Sequence, residues 1–247
     1  MNVNANANAR KKEVLLLLRA LVEPLVVSAT VTAAVMAISA LLPDRTIAAA
    51  VGFVFLGATW ALVWRLDDAH VTSSGLALGG LVLPGRIDQA RFWQSTMRAI
   101  FWALLLSAMT FGPFYFGFRM FWKPRGPFSF STAWREIASE VFGQVVIIAF
   151  PEEAFYRGYL QSRIERAWPS RVKWFGASVG PALLLTSAIF ALGHVATIRT
   201  PARLAVFFPS LAFGWLRKRT GGIGAGVLFH AMCNVFSEWL GHGYGLY

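Results

Sequence analysis

Residues 14–42 read VLLLLRALVEPLVVSATVTAAVMAISALL, a long apolar stretch near the start of the chain. A helix needs about 20 predominantly apolar residues to cross the hydrocarbon core of a bilayer, which is about 30 Å thick. This stretch is long enough to do so, and it is too long for the apolar segment of a cleaved signal peptide. We therefore expect an uncleaved helix that anchors the chain in a membrane.

Hydropathy predicts further spans of the same kind along the chain. The seven candidates are 14–42, 46–65, 97–118, 137–160, 177–197, 203–217 and 222–240. Lipid offers the backbone no hydrogen-bond partners, and the alternating pattern of barrel strands is not visible, so the spans should be helices. The sequence predicts an all-α, polytopic membrane helix bundle of about seven or eight transmembrane helices, in a single membrane domain over residues 1–247.

The composition excludes a water-soluble domain and argues against nucleic-acid binding. Hydrophobic residues make up 56% of the chain and charged residues only 14%, which is far from the usage of soluble proteins. The net charge of +11 comes from basic residues in short stretches between apolar runs. Such residues are typical of topology signals and contacts with phospholipids. The expected surroundings are a lipid bilayer, and Ala, Arg and Trp usage favours a bacterial inner membrane.

Ionisable residues interrupt one of the predicted spans, where residues 147–160 read IIAFPEEAFYRGYL. An ionisable group at bilayer depth costs at least about 2.5–3.5 kcal/mol, and it usually faces a protein interior or a watery cavity. Glu153 and Arg157 are four residues apart and can pair on one helix face. Glu152 is rotated about 100° away and is free to face a site. The alternative is an ion-pair network that only locks helices together.

Two later spans carry the remaining polar groups. His194 follows Phe190 near the end of an apolar helix, where a histidine is often a hydrogen-bonded core residue. His230 and Asn234 share one face of the last span, where they can also form an interhelical clamp worth about 1 kcal/mol. His194 lies on the side where the helix of Glu152 begins, so a cavity containing both should open toward that side.

Taken in order, these residues form the pattern Glu-Glu-x-x-x-Arg, Phe-x-x-x-His and His-x-x-x-Asn on late apolar helices. The pattern resembles the CPBP family, which contains the CAAX prenyl endopeptidases and the bacterial glutamic intramembrane proteases. The resemblance covers residues 150–238. Each motif alone has low specificity, whereas three in order are fairly specific.

The resemblance implies a role for each of these residues. Glu152 would be the general base that activates a water molecule, and His194 would help to hold that water. His230 and Asn234 would form the oxyanion hole, while the Glu153–Arg157 pair and Phe190 would support the site. A shielded carboxylate and donors fixed in a low-dielectric site suit this chemistry. No metal and no other cofactor is required.

The predicted function is that of an intramembrane glutamic endopeptidase that cuts a peptide bond near the membrane in protein or lipoprotein substrates. Its partners would be membrane-associated proteins or C-terminal tails, and no nucleic acid. Among bacterial relatives, the myxosortase-like group resembles processors of C-terminal sorting tails, and the resemblance would place this chain in that group.

Three alternatives remain open. A zinc-dependent intramembrane protease is one, because one Glu and two His form a known ligand set, although no His-Glu-x-x-His helix is present. A cysteine protease based on Cys233 beside His230 is another, although a lone cysteine in a membrane helix usually acts as a small apolar residue. The third is a non-catalytic protein, such as an immunity or scaffold protein, or a transporter, for which no repeat halves are found.

Overall fold

The computed structural model describes residues 3–129, 134–170 and 172–246. The N-terminal part consists of long helices joined by short turns. Its elements are α1 (Val3–Leu41), α2 (Asp44–Thr59) with a π-helical continuation (Trp60–Trp64), α3 (Asp68–Ser73), a 3-10 turn (Leu78–Gly80) and α4 (Gln89–Trp122).

The second part begins with one continuous helix, residues 134–167, which we call the site helix. It contains α5 (Trp134–Phe142), a first π-helical segment (Gly143–Ala149), α6 (Phe150–Glu153), a second π-helical segment (Ala154–Gln161) and α7 (Ser162–Ala167). The elements that follow are the antiparallel strands β1 (Val172–Trp174) and β2 (Ala177–Val179), α8 (Pro181–Thr197), a 3-10 turn (Pro201–Val206), α9 (Phe207–Thr220) and α10 (Gly224–Gly243).

The all-α fold class is confirmed, since β1 and β2 form the one sheet in the described part of the chain. Five of the seven predicted spans lie almost entirely within one long helix, and most of these helices extend beyond the span. The span predicted at 97–118, for example, lies within α4, which runs from Gln89 to Trp122. Hydropathy detects only the apolar middle of such a helix, because the ends are polar. The other two predicted spans were wrong at their starts, since residues 177–179 of the span 177–197 form β2 and residues 203–206 of the span 203–217 belong to a 3-10 turn.

In the part of the chain that the structure describes, three helical stretches are long and apolar enough to cross a membrane, namely Val14–Leu41, Asp44–Trp64 and Gln89–Trp122, and α8 is a shorter apolar helix. Large apolar side chains on these stretches, such as Phe53 and Met109, are exposed, as expected of a surface that faces lipid. The protein is an integral membrane protein.

The site helix lies at the centre of the bundle. All eight residues of its second π-helical segment, Ala154–Gln161, are buried. It packs against α2, α8, α9 and α10. Its polar side chains are therefore held inside protein, which removes the cost of exposing them to lipid.

Polar contacts gather at the end of the bundle where the site helix finishes. Arg166 Nη2 donates to the hydroxyl of Ser73 at 3.1 Å, and Lys218 Nζ lies 2.6 Å from a carboxylate oxygen of Glu165. We call this the basic end. The turn between α1 and α2 and the C-terminus of α8 lie toward the opposite end.

Candidate active site

Two π-helical segments flank the part of the site helix that carries the paired carboxylates. Pro151 has no N–H group and cannot complete the helical hydrogen-bond pattern. The backbone is π-helical just before it and again after Glu153, and π-helical turns often occur at functional sites. The single α-helical turn between them, α6, places Glu152 and Glu153 side by side and aims them in different directions.

Glu153 and Arg157 form the buried ion pair that their spacing predicts. Arg157 Nη1 lies 3.1 Å from Glu153 Oε1, and both side chains are fully buried. Arg157 Nη2 donates to the hydroxyl of Ser210 on α9 at 2.7 Å and to its carbonyl oxygen at 3.1 Å. The guanidinium carbon also lies 4.6 Å from the ring centroid of Phe190 and 5.1 Å from that of Phe213, within the range of cation–π contact.

His230 lies between the two carboxylates. Its Nδ1 is 3.1 Å from Glu153 Oε1 and its Nε2 is 3.9 Å from Glu152 Oε2. The ring stacks on Phe213, with centroids 4.6 Å apart and planes 12° apart. A carboxylate paired with an arginine can only accept a hydrogen bond, so Nδ1 carries a proton and Nε2 is the nitrogen turned toward Glu152.

The imidazole of His194 on α8 is held by a backbone carbonyl group of its own helix. Its Nδ1 is 3.0 Å from the carbonyl oxygen of Phe190, which can only accept a hydrogen bond. The imidazole packs against the Phe190 ring with centroids 4.4 Å apart. Nδ1 is therefore the donor, and Nε2 remains available to accept a hydrogen bond.

Glu152 and His194 line the same cavity, whose volume is about 500 Å³. The cavity extends from these two residues toward the turn between α1 and α2, where Ser39 and Asp44 line it. This is the end that the position of His194 in its helix indicated. Most of the wall is apolar and comes from α1, α2, the site helix and α8.

Asn234 lies on α10 with its amide engaged elsewhere. Its Nδ2 donates to Gln144 Oε1 at 2.9 Å, and Gln144 Nε2 donates to Glu238 Oε1 at 3.2 Å. The residues that line the cavity include neither His230 nor Asn234. The structure thus brings Glu152 and His194 into one cavity, places His230 directly behind Glu152 and joins Asn234 to the first π-helical segment.

Several residues of the site did not stand out in the sequence. Tyr156 lines the cavity beside Glu152, and its spacing of four residues from Glu152 was the available signal. Gln144 is a buried amide in an apolar helix, a pattern that marks polar contacts between membrane helices. Ser210 and Phe213 carry no such signal, because serine and phenylalanine are common in any membrane helix.

Potential metal ligands do not gather into a site in the part of the chain that the structure describes. No three His, Cys, Asp or Glu side chains there are placed to hold a metal ion together. Glu153 and His230 satisfy each other, and His194 Nδ1 is bound to a backbone carbonyl. The zinc alternative therefore finds no assembled ligand set among these residues.

The fold and the site together define a membrane helix bundle in which a carboxylate and an imidazole line one cavity. Residues 134–236 match the model of the Rce1-like family, described as type II CAAX prenyl endopeptidase Rce1-like. The matched region includes every residue of the three sequence motifs. The predicted resemblance to the CPBP family is therefore confirmed for this region, and it points to a peptidase. The chain matches no curated protein and no solved structure.

Proposed function

We propose that the protein is a multi-pass intramembrane glutamic endopeptidase of a bacterial inner membrane, acting on membrane-associated proteins or C-terminal tails. The observation that carries the proposal is that Glu152 and His194 line the same cavity. The mostly apolar walls limit contact with bulk water, and the cavity is open at one end. Its position within an apolar bundle favours substrates that are themselves held at the membrane.

In the proposed reaction a water molecule binds between Glu152 and Nε2 of His194. The water oxygen attacks the carbonyl carbon of the scissile peptide as its proton passes to Glu152. The tetrahedral intermediate then collapses, the C–N bond breaks, and Glu152 returns the proton to the leaving amine. No covalent bond to the enzyme forms.

His230 and Asn234 are the proposed donors to the oxyanion. For Nε2 of His230 to donate while Nδ1 stays bound to Glu153, both ring nitrogens must carry a proton in the reacting state. One N–H of the Asn234 amide is bound to Gln144, so the proposal assigns the oxyanion contact to the other N–H. Preorganised donors of this kind contribute about 3–4 kcal/mol each at best.

The test uses the variant Glu152→Gln, which keeps the size of the side chain but cannot take a proton from water. A protein that accumulates uncut in a deletion strain is purified and incubated with wild-type or variant enzyme in detergent. We expect Glu152→Gln to lower turnover by about 10²–10⁴-fold with an unchanged melting temperature. The matched control is Glu136→Gln, a change at an exposed residue of the same helix. This variant should cleave the substrate at the wild-type rate.

Other outcomes decide against the proposal. Wild-type turnover by Glu152→Gln removes this residue from the mechanism. Loss of wild-type activity with a chelator, reversed by added zinc, assigns the reaction to a metalloprotease. If no protein accumulates uncut and Glu152→Gln complements the deletion strain fully, the protein is an immunity or scaffold protein.

A further inference from the structure

Tyr156 shares the cavity with the two residues proposed to activate water. It follows Glu152 by four residues on the site helix and lines the same cavity as His194. The side chain is almost fully buried, with 3% of the residue exposed. A phenol at this position supplies a hydrogen-bond donor to a mostly apolar wall.

The ring of Tyr156 is held in place by its neighbours. Phe190 meets it edge-on, with centroids 4.9 Å apart and planes 86° apart. Phe55 on α2 lies 5.6 Å away, and Phe155 lies 5.2 Å away. Packing from three directions fixes the ring and therefore the position of the hydroxyl group.

The backbone of α8 leaves space for that hydroxyl group at Gly193, the residue before His194. A Cβ atom placed on Gly193 would lie 3.1 Å from Tyr156 Oη and 3.9 Å from the hydroxyl oxygen of Thr32. Any side chain at this position would press on the phenol. The hydroxyl group is therefore seated against the helix that carries His194, with Thr32 on its other side.

The expected oxyanion donors contrast with Tyr156. Nδ1 of His230 is bound to Glu153, one N–H of Asn234 is bound to Gln144, and neither side chain lines the cavity. Tyr156 instead lines the cavity together with Glu152 and His194. We propose that Tyr156 is a further catalytic residue, whose Oη–H donates to the carbonyl oxygen of the scissile peptide and to the oxyanion that replaces it.

This inference rests on the proposed function, and its test uses the same uncut protein as substrate. Tyr156→Phe removes the hydroxyl and keeps the ring. We expect kcat to fall by about 10²-fold, the typical effect of losing one oxyanion donor, while KM stays within about twofold. The control is Tyr159→Phe, which removes a hydroxyl that donates to Glu23 at 3.0 Å outside this cavity. It should leave kcat within about twofold of wild type, well short of the loss expected for an oxyanion donor.

A second variant tests the role of Tyr156 even if Tyr156→Phe fails to fold. Gly193→Ala improves the helix propensity of α8 but displaces Oη, so we expect kcat to fall without loss of thermal stability. Combined with Tyr156→Phe, the same change should have little further effect, because the group that it displaces is gone.

Each result separates the two proposals. If Tyr156→Phe keeps wild-type kcat while Glu152→Gln is inactive, the role of Tyr156 is overturned and the proposed function stands. The role of Tyr156 is also overturned if Gly193→Ala lowers kcat by the same factor in the wild-type enzyme and in Tyr156→Phe. If wild-type enzyme and Glu152→Gln behave alike, the proposed function itself fails.

Discussion

One carboxylate oxygen of Glu153 serves two partners. Its Oε1 lies 3.1 Å from Arg157 Nη1 and 3.1 Å from His230 Nδ1. The first contact was predictable, because residues four apart share a helix face. The second joins residues 77 positions apart, and neither motif shows which carboxylate the imidazole would meet. Glu153 therefore orients His230 as well as neutralising Arg157, much as the buried acid of a catalytic triad orients its histidine.

The other oxygen of Glu153 leads to a prediction at Gly226 on α10. A Cβ atom there would lie 2.9 Å from Glu153 Oε2 and 3.5 Å from the carbonyl oxygen of Phe213. Alanine normally stabilises a helix relative to glycine by about 1 kcal/mol. At this site we expect the opposite, since Glu153 is pinned by two partners and cannot retreat. Gly226→Ala should lower both the melting temperature in detergent and turnover.

The control for this change is Gly224→Ala, two residues earlier on the same helix. Its nearest neighbour would be the Cβ atom of Ala99 at 3.5 Å, which is ordinary van der Waals contact. It should keep both stability and turnover. Equal behaviour of the two variants would show that Glu153 is free to move and does not hold His230 in place.

At the scale of elements, the sequence predicts the site helix but not its winding. The apolar run around residues 137–160 requires a buried helix, and the structure has one. Its two π-helical segments could not be predicted, because over such short stretches the sequence pattern does not distinguish π-helical from α-helical winding. The link from Asn234 through Gln144 to Glu238 depends on this winding, and so the partner of Asn234 was not predictable either.

The contact between α2 and the site helix yields a second prediction. Pro151 has no N–H to offer the carbonyl oxygen of Ile147, and Gly52 approaches that oxygen closely. A Cβ atom on Gly52 would lie 2.7 Å from it, a contact with backbone that cannot rotate away. We expect Gly52→Ala to destabilise the protein by about 1–3 kcal/mol and to lower turnover, because α2 also forms a wall of the cavity.

Gly57→Ala provides the comparison within the same helix. A Cβ atom on Gly57 meets no atom within 4 Å, so this variant should be as stable as wild type or slightly more stable. Thermal unfolding of the purified proteins in one detergent measures the difference. If Gly52→Ala and Gly57→Ala have the same melting temperature, α2 and the site helix are not in fixed contact at this point.

At the scale of the whole molecule, hydropathy predicts the order of the helices and their antiparallel arrangement. It does not predict how deep the cavity reaches, because that depth follows from side-chain packing between α1, α2, the site helix and α8. The number of helices that cross the bilayer stays a prediction. Among the described residues, three stretches qualify by length and composition, and α8 is apolar but shorter.

The two ends of the bundle should therefore face different compartments. Ser39 lines the mouth of the cavity, whereas Thr72 is exposed beside the arginines of the basic end. Loops rich in Lys and Arg stay in the cytoplasm, so the basic end should be cytoplasmic and the mouth should open on the other side of the membrane. The chain has a single cysteine, Cys233, and Cys233→Ser gives a background without thiols.

In that background, we expect a membrane-impermeant thiol reagent added to intact cells, or to spheroplasts if an outer membrane is present, to label Ser39→Cys and not Thr72→Cys. Both variants should react once the membrane is permeabilised. Labelling of Thr72→Cys alone would mean that the cavity opens to the cytoplasm and that the basic residues do not set the orientation. Labelling of both from the same side would contradict the antiparallel crossing of α1 and α2, and with it the multi-pass arrangement. Since the proposed substrate reaches Glu152 through this mouth, the side on which Ser39→Cys is labelled is also the side from which the scissile peptide enters.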